Sequence, residues 1–168
     1  PHEIPNFRIY RLGARWRSNH NQVSELATPQ FWQHQLGLNE LRVLLKDRIR
    51  EEGIFLVDPE IKREWEKFGF GKDSPIPDIV FRSKTRSIAF EYERHSKGQK
   101  VYFSKLAQYH RSRTYQKILY IAEDESVFKA IQIAAKHFPK IGICAISNIE
   151  KVYSSLNSYQ SLSDFLEL

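Results

Sequence analysis

The alternation of strand-like and helix-like segments in the second half of the chain constrains the fold most. The segments "SIAFEYE", "KILYIAE" and "KIGICAIS" have the composition of buried strands, and "KVYFSKLAQYHRSRTY" and "DESVFKAIQIAAKHF" between them are typical of helices. A strand–helix–strand–helix–strand order predicts parallel strands in a sheet that helices cover on both faces.

A β-hairpin is predicted directly before the first of these helices. The segment "DIVF" is typical of a strand, "RSKTR" of a turn, and "SIAFEYE" is the antiparallel partner of the first strand. A hairpin joined to parallel strands makes the sheet mixed. We therefore predict an α/β fold with a central mixed β-sheet flanked by helices.

The first half of the chain adds one long helix and further strands. Thr28 is suited to cap a helix that starts at Pro29, and Gly53 to stop it. The segment "IFLVDP" predicts a short strand, and the alternation in "FRIYRLGARWRSN" predicts another one near the start of the chain. A partly helical connection follows in "EIKREWEKFGFGKDSPIP".

Length and composition bound the class of protein. The chain has 168 residues and no methionine, so we expect one domain over residues 1–168 that forms the C-terminal part of a longer protein. No apolar run approaches the roughly 18 residues that a membrane span needs. The lone Cys144 excludes an intrachain disulfide, which is typical of a cytoplasmic protein.

Two carboxylates interrupt the apolar strand of the predicted hairpin. Because side chains alternate across a strand, Ala89, Glu91 and Glu93 share one face, opposite Ile88, Phe90 and Tyr92. The hairpin also brings Asp78 to the same end of the strand, beside Glu91 or Glu93. We therefore expect three carboxylates to converge. Carboxylates that share a site repel one another unless a cation such as Mg²⁺ neutralises them.

The positive charge around this cluster favours a nucleic acid as the binding partner. From Arg82 to Lys117 there are ten basic residues, and the only two acidic ones are Glu91 and Glu93. A bound metal ion could then meet the phosphates of a polyanion. The alternative is a solvated face on which both glutamates pair with Arg82, Lys84 or Arg86 across the hairpin.

The pattern Pro77-Asp78, hairpin, Glu91-Tyr92-Glu93 resembles the core of the PD-(D/E)XK nucleases, which have the restriction-endonuclease-like fold. A closer likeness is to plasmid-encoded replication-relaxation and mobilisation proteins. The run "HQLGLNELR", in which Glu40 is the acidic residue, and the segment "PDIVF" to "KLAQYH" are similar to theirs. This resemblance covers roughly residues 7 to 146, and in such proteins the opening segment often follows an upstream winged-helix DNA-binding domain.

The resemblance implies a site that binds Mg²⁺ or Mn²⁺. Asp78 and Glu91 would hold the metal, with Glu93 or Glu40 as further ligands. The family's lysine, which positions or activates water, belongs two residues after the second acid, where this chain has Glu93. The role then falls to Lys97 or Lys105. The side chains that we expect to follow the DNA backbone are Arg82, Lys84, Arg94, Lys100, Arg111 and Arg113.

Three functions are compatible with these residues. The leading hypothesis is a metal-dependent endonuclease that hydrolyses or nicks DNA in the mobilisation or replication of plasmids or other mobile elements. The runner-up, favoured by Glu93 at the lysine position, is a non-catalytic DNA-binding accessory module of a relaxosome. The third is a domain whose basic face binds an acidic protein, for example another mobilisation protein.

Overall fold

The computed structural model describes residues 29–64, 75–154 and 158–166. The chain divides into two compact units, residues 1–37 and 38–168. Of the first unit, residues 29–37 are described, and they form the first part of a helix. The second unit contains the sheet. The strand predicted in "FRIYRLGARWRSN" and the capping residue Thr28 lie outside the described residues.

The second unit is built on a seven-stranded mixed sheet whose strands lie side by side in chain order. Strands β3, β4 and β5 are parallel, and the remaining neighbours are antiparallel. The α/β class, the mixed sheet and the hairpin are therefore confirmed. The strands are β1 (Ile54–Val57), β2 (Ile79–Arg82), β3 (Ser87–Glu93), β4 (Lys117–Ala122), β5 (Ile141–Ala145), β6 (Asn148–Ser154) and β7 (Tyr159–Ser161).

Five helices accompany these strands in the described residues. They are α1 (Pro29–Arg48), α2 (Asp58–Glu64), α3 (Gln99–Arg111), α4 (Glu125–Ala135) and α5 (Leu162–Leu166). Helices α3 and α4 make the crossovers between the parallel strands, as the sequence predicted. No helix in the described part of the chain is both long and apolar enough to span a membrane.

The C-terminal end of α1 differs from the prediction. The helix ends at Arg48 rather than near Gly53. Gly53 has a different role, because a Cβ at this position would lie 2.6 Å from the carbonyl oxygen of Arg82 and would also clash with the Phe81 ring. Gly53 therefore allows the chain to pass close to β2 as it enters β1.

The two faces of the sheet carry separate hydrophobic clusters, and β3 contributes to both. Ile88, Phe90 and Tyr92 belong to a cluster that includes Leu41 of α1 and Phe165 of α5. Ala89 belongs to the opposite cluster, which holds side chains of α3 and α4. The alternation predicted for β3 is confirmed, and it directs Glu91 and Glu93 toward the α3 side.

Strands β6 and β7 were not predicted from the sequence. In β6 the buried positions are Ile149, Val152 and Ser154, so burial does not follow a strict two-residue alternation. The pairing of β6 with β5 also shifts register between Ile143 and Ala145. Strand β7 has only three residues. Neither segment therefore has the pattern by which a strand is recognised.

Candidate active site

The hairpin brings Asp78 and Glu91 together. Ile79 pairs with Phe90 across β2 and β3, so Asp78, the preceding residue, lies next to Glu91. The Tyr92 backbone N–H donates a hydrogen bond to Asp78 Oδ2 at 2.8 Å, which fixes this carboxylate at the start of β2. One of the two positions that the sequence offered for Asp78, beside Glu91, is therefore realised.

Helix α3 supplies two partners to Glu91. Lys105 Nζ lies 2.7 Å from Glu91 Oε2, and the Tyr109 hydroxyl donates a hydrogen bond to Glu91 Oε1. Lys105 and Tyr109 are one helical turn apart and so face the sheet together. Glu91 is only 1% exposed. Its two oxygens are thus bound by one cation and one hydroxyl inside the protein.

Burial dominates the ionisation of Glu91. It raises the pKa of this carboxyl, as does the neighbouring charge of Asp78, whereas the Lys105 charge and the hydrogen bonds from Lys105 and Tyr109 lower it. The net result is a pKa of about 7. A group with this pKa can gain or lose a proton near neutral pH.

Lys105 remains a cation in this environment. Burial alone would lower the pKa of its ammonium group, but the charge of Glu91, the hydrogen bond to Glu91 and the charges of Asp78 and Glu93 outweigh burial, so the pKa is raised. Lys105 therefore supplies positive charge and hydrogen-bond donors at neutral pH.

Glu93 is buried too, but its partner comes from a loop. Lys97 Nζ lies 2.8 Å from both carboxylate oxygens of Glu93. The loop is held in turn by Tyr102 of α3, whose hydroxyl accepts from the Lys97 backbone N–H at 3.2 Å and donates to the His95 carbonyl at 3.4 Å. Glu93 and Lys97 thus form an ion pair that joins the end of β3 to the loop before α3.

The alternative of a solvated acidic face is wrong. Glu91 and Glu93 are both buried, and lysines that follow β3 pair with them. Arg86, proposed as a cross-hairpin partner, instead contacts Glu51 and donates to the Leu166 carbonyl at 2.6 Å. The pleat directs both glutamates into the protein, on the face that α3 covers.

The three carboxylates act on the same neighbours, Lys105 and Tyr120, but they are not arranged as one metal site. Within the described residues, no group of three or more His, Cys, Asp and Glu side chains is arranged to hold a metal ion. Asp78 lies beside Glu91, while Glu93 is engaged by Lys97. Glu40 is exposed on α1, and its charge acts on Tyr92, whose side chain points to the opposite face of β3. The site described here thus centres on Asp78 and Glu91.

Tyr120 is a member of this site that the sequence did not reveal. It pairs with Glu91 in the parallel register of β3 and β4, and its side chain is fully buried. Its hydroxyl has no hydrogen-bond partner among the described residues. Burial first, and then the charges of Glu91, Glu93 and Asp78, raise its pKa well above the usual value. A polar atom in an otherwise apolar strand was the only signal available.

The comparisons with known proteins assign the family. A family model described as replication-relaxation matches residues 8–120 of this chain. The chain belongs to the replication-relaxation family. The match includes the whole hairpin, α3 and most of β4, and therefore every residue of the site. No curated protein and no solved structure matches the chain.

The six basic side chains that were expected to follow the DNA backbone lie at two ends of the sheet in this replication-relaxation protein. Arg94 and Lys100 follow β3 and lie at the end that carries Glu93. Arg82 and Lys84 lie at the hairpin turn, and Arg111 and Arg113 precede β4, so these four are at the opposite end. Lys84, Lys100, Arg111 and Arg113 are exposed, whereas Arg82 and Arg94 are half-buried.

Proposed function

We propose that this chain hydrolyses or nicks DNA phosphodiesters with Mg²⁺ or Mn²⁺, as a PD-(D/E)XK nuclease acting in plasmid or mobile-element mobilisation or replication. One observation carries the proposal: Lys105 of α3 reaches Glu91 at 2.7 Å beside Asp78. In this proposal Asp78, Glu91 and Lys105 would serve as the aspartate, glutamate and lysine of the pattern, although Glu93 stands in the usual lysine position. Membership of the replication-relaxation family supports DNA as the substrate.

The donor atoms around Asp78 and Glu91 fit a divalent cation that two carboxylates hold. Mg²⁺ is commonly bound by one or two carboxylates and keeps waters or phosphate oxygens at its other positions. The Tyr120 hydroxyl, which has no partner among the described residues, suits a water or phosphate oxygen in the same site. When bound, the cation would polarise a phosphate oxygen and lower the pKa of a water molecule.

The protein groups would divide the remaining work between them. Lys105, whose pKa is raised, stays protonated and would stabilise negative charge that develops on the phosphate. It is therefore a cationic donor and not a general base. Glu91, with a pKa of about 7, is the group in the site whose ionisation changes near neutral pH. Tyr109 would act as a positioning residue, because its hydroxyl orients the Glu91 carboxylate.

Basic residues beyond the site would hold the DNA. Lys84, Lys100, Arg111 and Arg113 are exposed, and we propose that they contact phosphates together with Arg82 and Arg94. Such contacts release counterions, so DNA affinity should fall as the salt concentration rises.

Plasmid cleavage tests the proposal. Supercoiled plasmid is incubated with the chain and Mg²⁺ or Mn²⁺, and nicked and linear products are measured. We expect cleavage by the parent, none by Asp78→Asn or Glu91→Gln, and unchanged cleavage by Lys129→Met, which removes an exposed lysine of α4. A parent that never cuts, or site variants that cut as fast as the parent, would overturn the enzymatic function.

A second function is favoured by a different observation. Glu91 and Glu93 each have a lysine partner already, and no third ligand joins Asp78 and Glu91 in the described residues. These features suit an accessory module that binds DNA without cutting it. In the same assay this module would leave the plasmid intact, while a gel-shift experiment would show salt-sensitive DNA binding that Glu91→Gln does not change.

A further inference from the structure

Helices α3 and α4 enclose a surface groove of about 620 Å³ that is separate from the Asp78–Glu91 site. On the α3 side it is lined by Lys100, Phe103, Ser104, Ala107 and Arg111, which recur at helical spacing on one face. Tyr102, Lys105, Leu106 and Tyr109 occupy the face of α3 that is turned toward the sheet. The side chains that line the groove and those that face the sheet thus lie on different faces of α3.

The groove has an apolar floor with an accessible aromatic ring. Ile133 and Ala134 of α4 line it together with Phe103, a residue that is 54% exposed. The Phe103 ring packs against the Phe138 ring at a centroid distance of 5.5 Å, which restricts its orientation. An exposed ring that is held in this way offers a surface on which a flat group can stack.

Positive charge stands at both ends of the groove. Lys100 and Arg111 are eleven residues apart, which corresponds to roughly 16 Å along a helix. Neither cation has a carboxylate partner among the described residues, and no acidic residue lies between Arg94 and Lys117. The groove thus matches a ligand that carries negative charges spaced along a chain.

We propose that this groove binds single-stranded DNA, with a base stacked on Phe103 and phosphates held by Lys100 and Arg111. The choice of DNA rests on the proposed function, because that function supplies the polymer. Single strands are favoured over duplex because the bases of a duplex are already stacked and cannot reach the ring. Aromatic stacking between basic side chains is a general mode of binding single strands.

Fluorescence anisotropy with labelled oligo(dT), in EDTA so that no cleavage occurs, tests this proposal. Phe103→Ala should weaken binding about tenfold, since loss of one stacked base costs about 1–3 kcal/mol. Phe103→Trp should retain binding, and Phe103→Leu should behave like Phe103→Ala. Val101→Ala is the matched control, because Val101 is as exposed as Phe103 but does not line the groove.

Salt dependence tests the charged ends without changing the apolar packing. Lys100→Gln and Arg111→Gln should each reduce the slope of log affinity against log salt by about 0.7. Binding of a heparin fragment, a polyanion without bases, should be unaffected by Phe103→Ala. Oligo(dT) binding that Phe103→Ala leaves unchanged, or that Phe103→Leu retains in full, would overturn the proposal.

The outcome is distinguishable from that of the nuclease assay. Glu91→Gln should not change oligo(dT) affinity, because Glu91 is on the other side of α3. A parent that fails to cut plasmid but binds oligo(dT) through Phe103 would overturn the nuclease and leave the groove established. Cleavage that depends on Glu91, together with binding that is indifferent to Phe103, would overturn the groove alone.

Discussion

Two glutamates of β3, Glu91 and Glu93, are each paired with a lysine, and the two pairs differ in what surrounds them. Glu91 is paired with Lys105, which a helix places against the sheet, and it is also bound by Tyr109 and adjoins Asp78. Glu93 is paired with Lys97, which lies on a loop and has a side chain 47% exposed. The same kind of ion pair is therefore part of a candidate reaction centre at Glu91 and a structural link at Glu93.

The difference shows why residue spacing alone misleads in this chain. Glu93 stands where the proposed PD-(D/E)XK pattern would have a lysine, yet the cation next to Glu91 comes from fourteen residues further on. A helix that runs back across the strand can present a side chain to the same point in space. The predictions below test whether the two pairs differ in function as they do in geometry.

The largest difference is expected in stability. Lys105→Met would leave Glu91 buried without its cation, which costs about 3–5 kcal/mol in the free energy of unfolding when the carboxyl is ionised. The variant raises the Glu91 pKa further above its unfolded value of 4.5 and above the parent value of about 7. The loss therefore grows only above about pH 7, and at pH 8 it should exceed the loss at pH 5 by about 1.4 kcal/mol. Lys97→Met should cost less, because Lys97 lies on a loop with its side chain 47% exposed, so that water can take its place beside Glu93.

Urea unfolding at pH 5 and pH 8 measures both losses. The double variant Lys105→Met/Glu91→Gln should recover stability at pH 8, since the buried charge is gone. Equal losses for Lys105→Met and Lys97→Met at pH 8 would contradict the proposed difference between the two pairs.

Two buried tyrosines offer a matched comparison of smaller size. Tyr109→Phe removes the hydroxyl that donates to Glu91 and should cost about 1–3 kcal/mol, because a buried carboxylate oxygen loses its donor. Tyr120→Phe removes a hydroxyl that has no partner among the described residues and should leave stability nearly unchanged. Thermal or urea unfolding distinguishes them, and a large loss for Tyr120→Phe would show that its hydroxyl has a partner in solution.

The pH dependence of cleavage sharpens the role of Glu91. If the ionised carboxyl is required, cleavage at limiting metal should rise as pH increases through about 7. It should be about tenfold slower one pH unit below that value than on the plateau, as expected for loss of one proton. Glu93→Gln should keep this profile. A flat profile in the parent between pH 5.5 and 8 would remove Glu91 from the reaction.

Much of the fold followed from local patterns. The apolar strands and the helices between them predicted the βαβαβ part, and the pleat of "SIAFEYE" predicted the faces of β3. Strands β6 and β7 were not predicted, because burial in β6 does not follow a regular alternation and β7 has only three residues. Gly53 was predicted to end a helix. The structure instead requires a glycine there because β2, which is distant in sequence, leaves no room for a side chain.

The site was predictable in part. Asp78 and Glu91 could be brought together from the hairpin, because the register of a hairpin is local. Which lysine pairs with Glu91 could not be predicted, because this depends on the packing of α3 on the sheet, which no spacing rule supplies. The position of the Tyr120 hydroxyl next to Glu91 could not be predicted, because it depends on the parallel register of β3 and β4, which is a long-range pairing.

Cleavage of supercoiled plasmid by Lys105→Met and Lys97→Met, in Mg²⁺ or Mn²⁺ and near neutral pH, tests the central claim most directly. Lys105→Met should cut about 10²–10³-fold more slowly than the parent, as expected when a donor to developing charge is removed, and Lys97→Met should cut within a few-fold of the parent. Rapid cleavage by Lys105→Met, or a loss as large in Lys97→Met, would contradict the assignment of Lys105 as the lysine of the site.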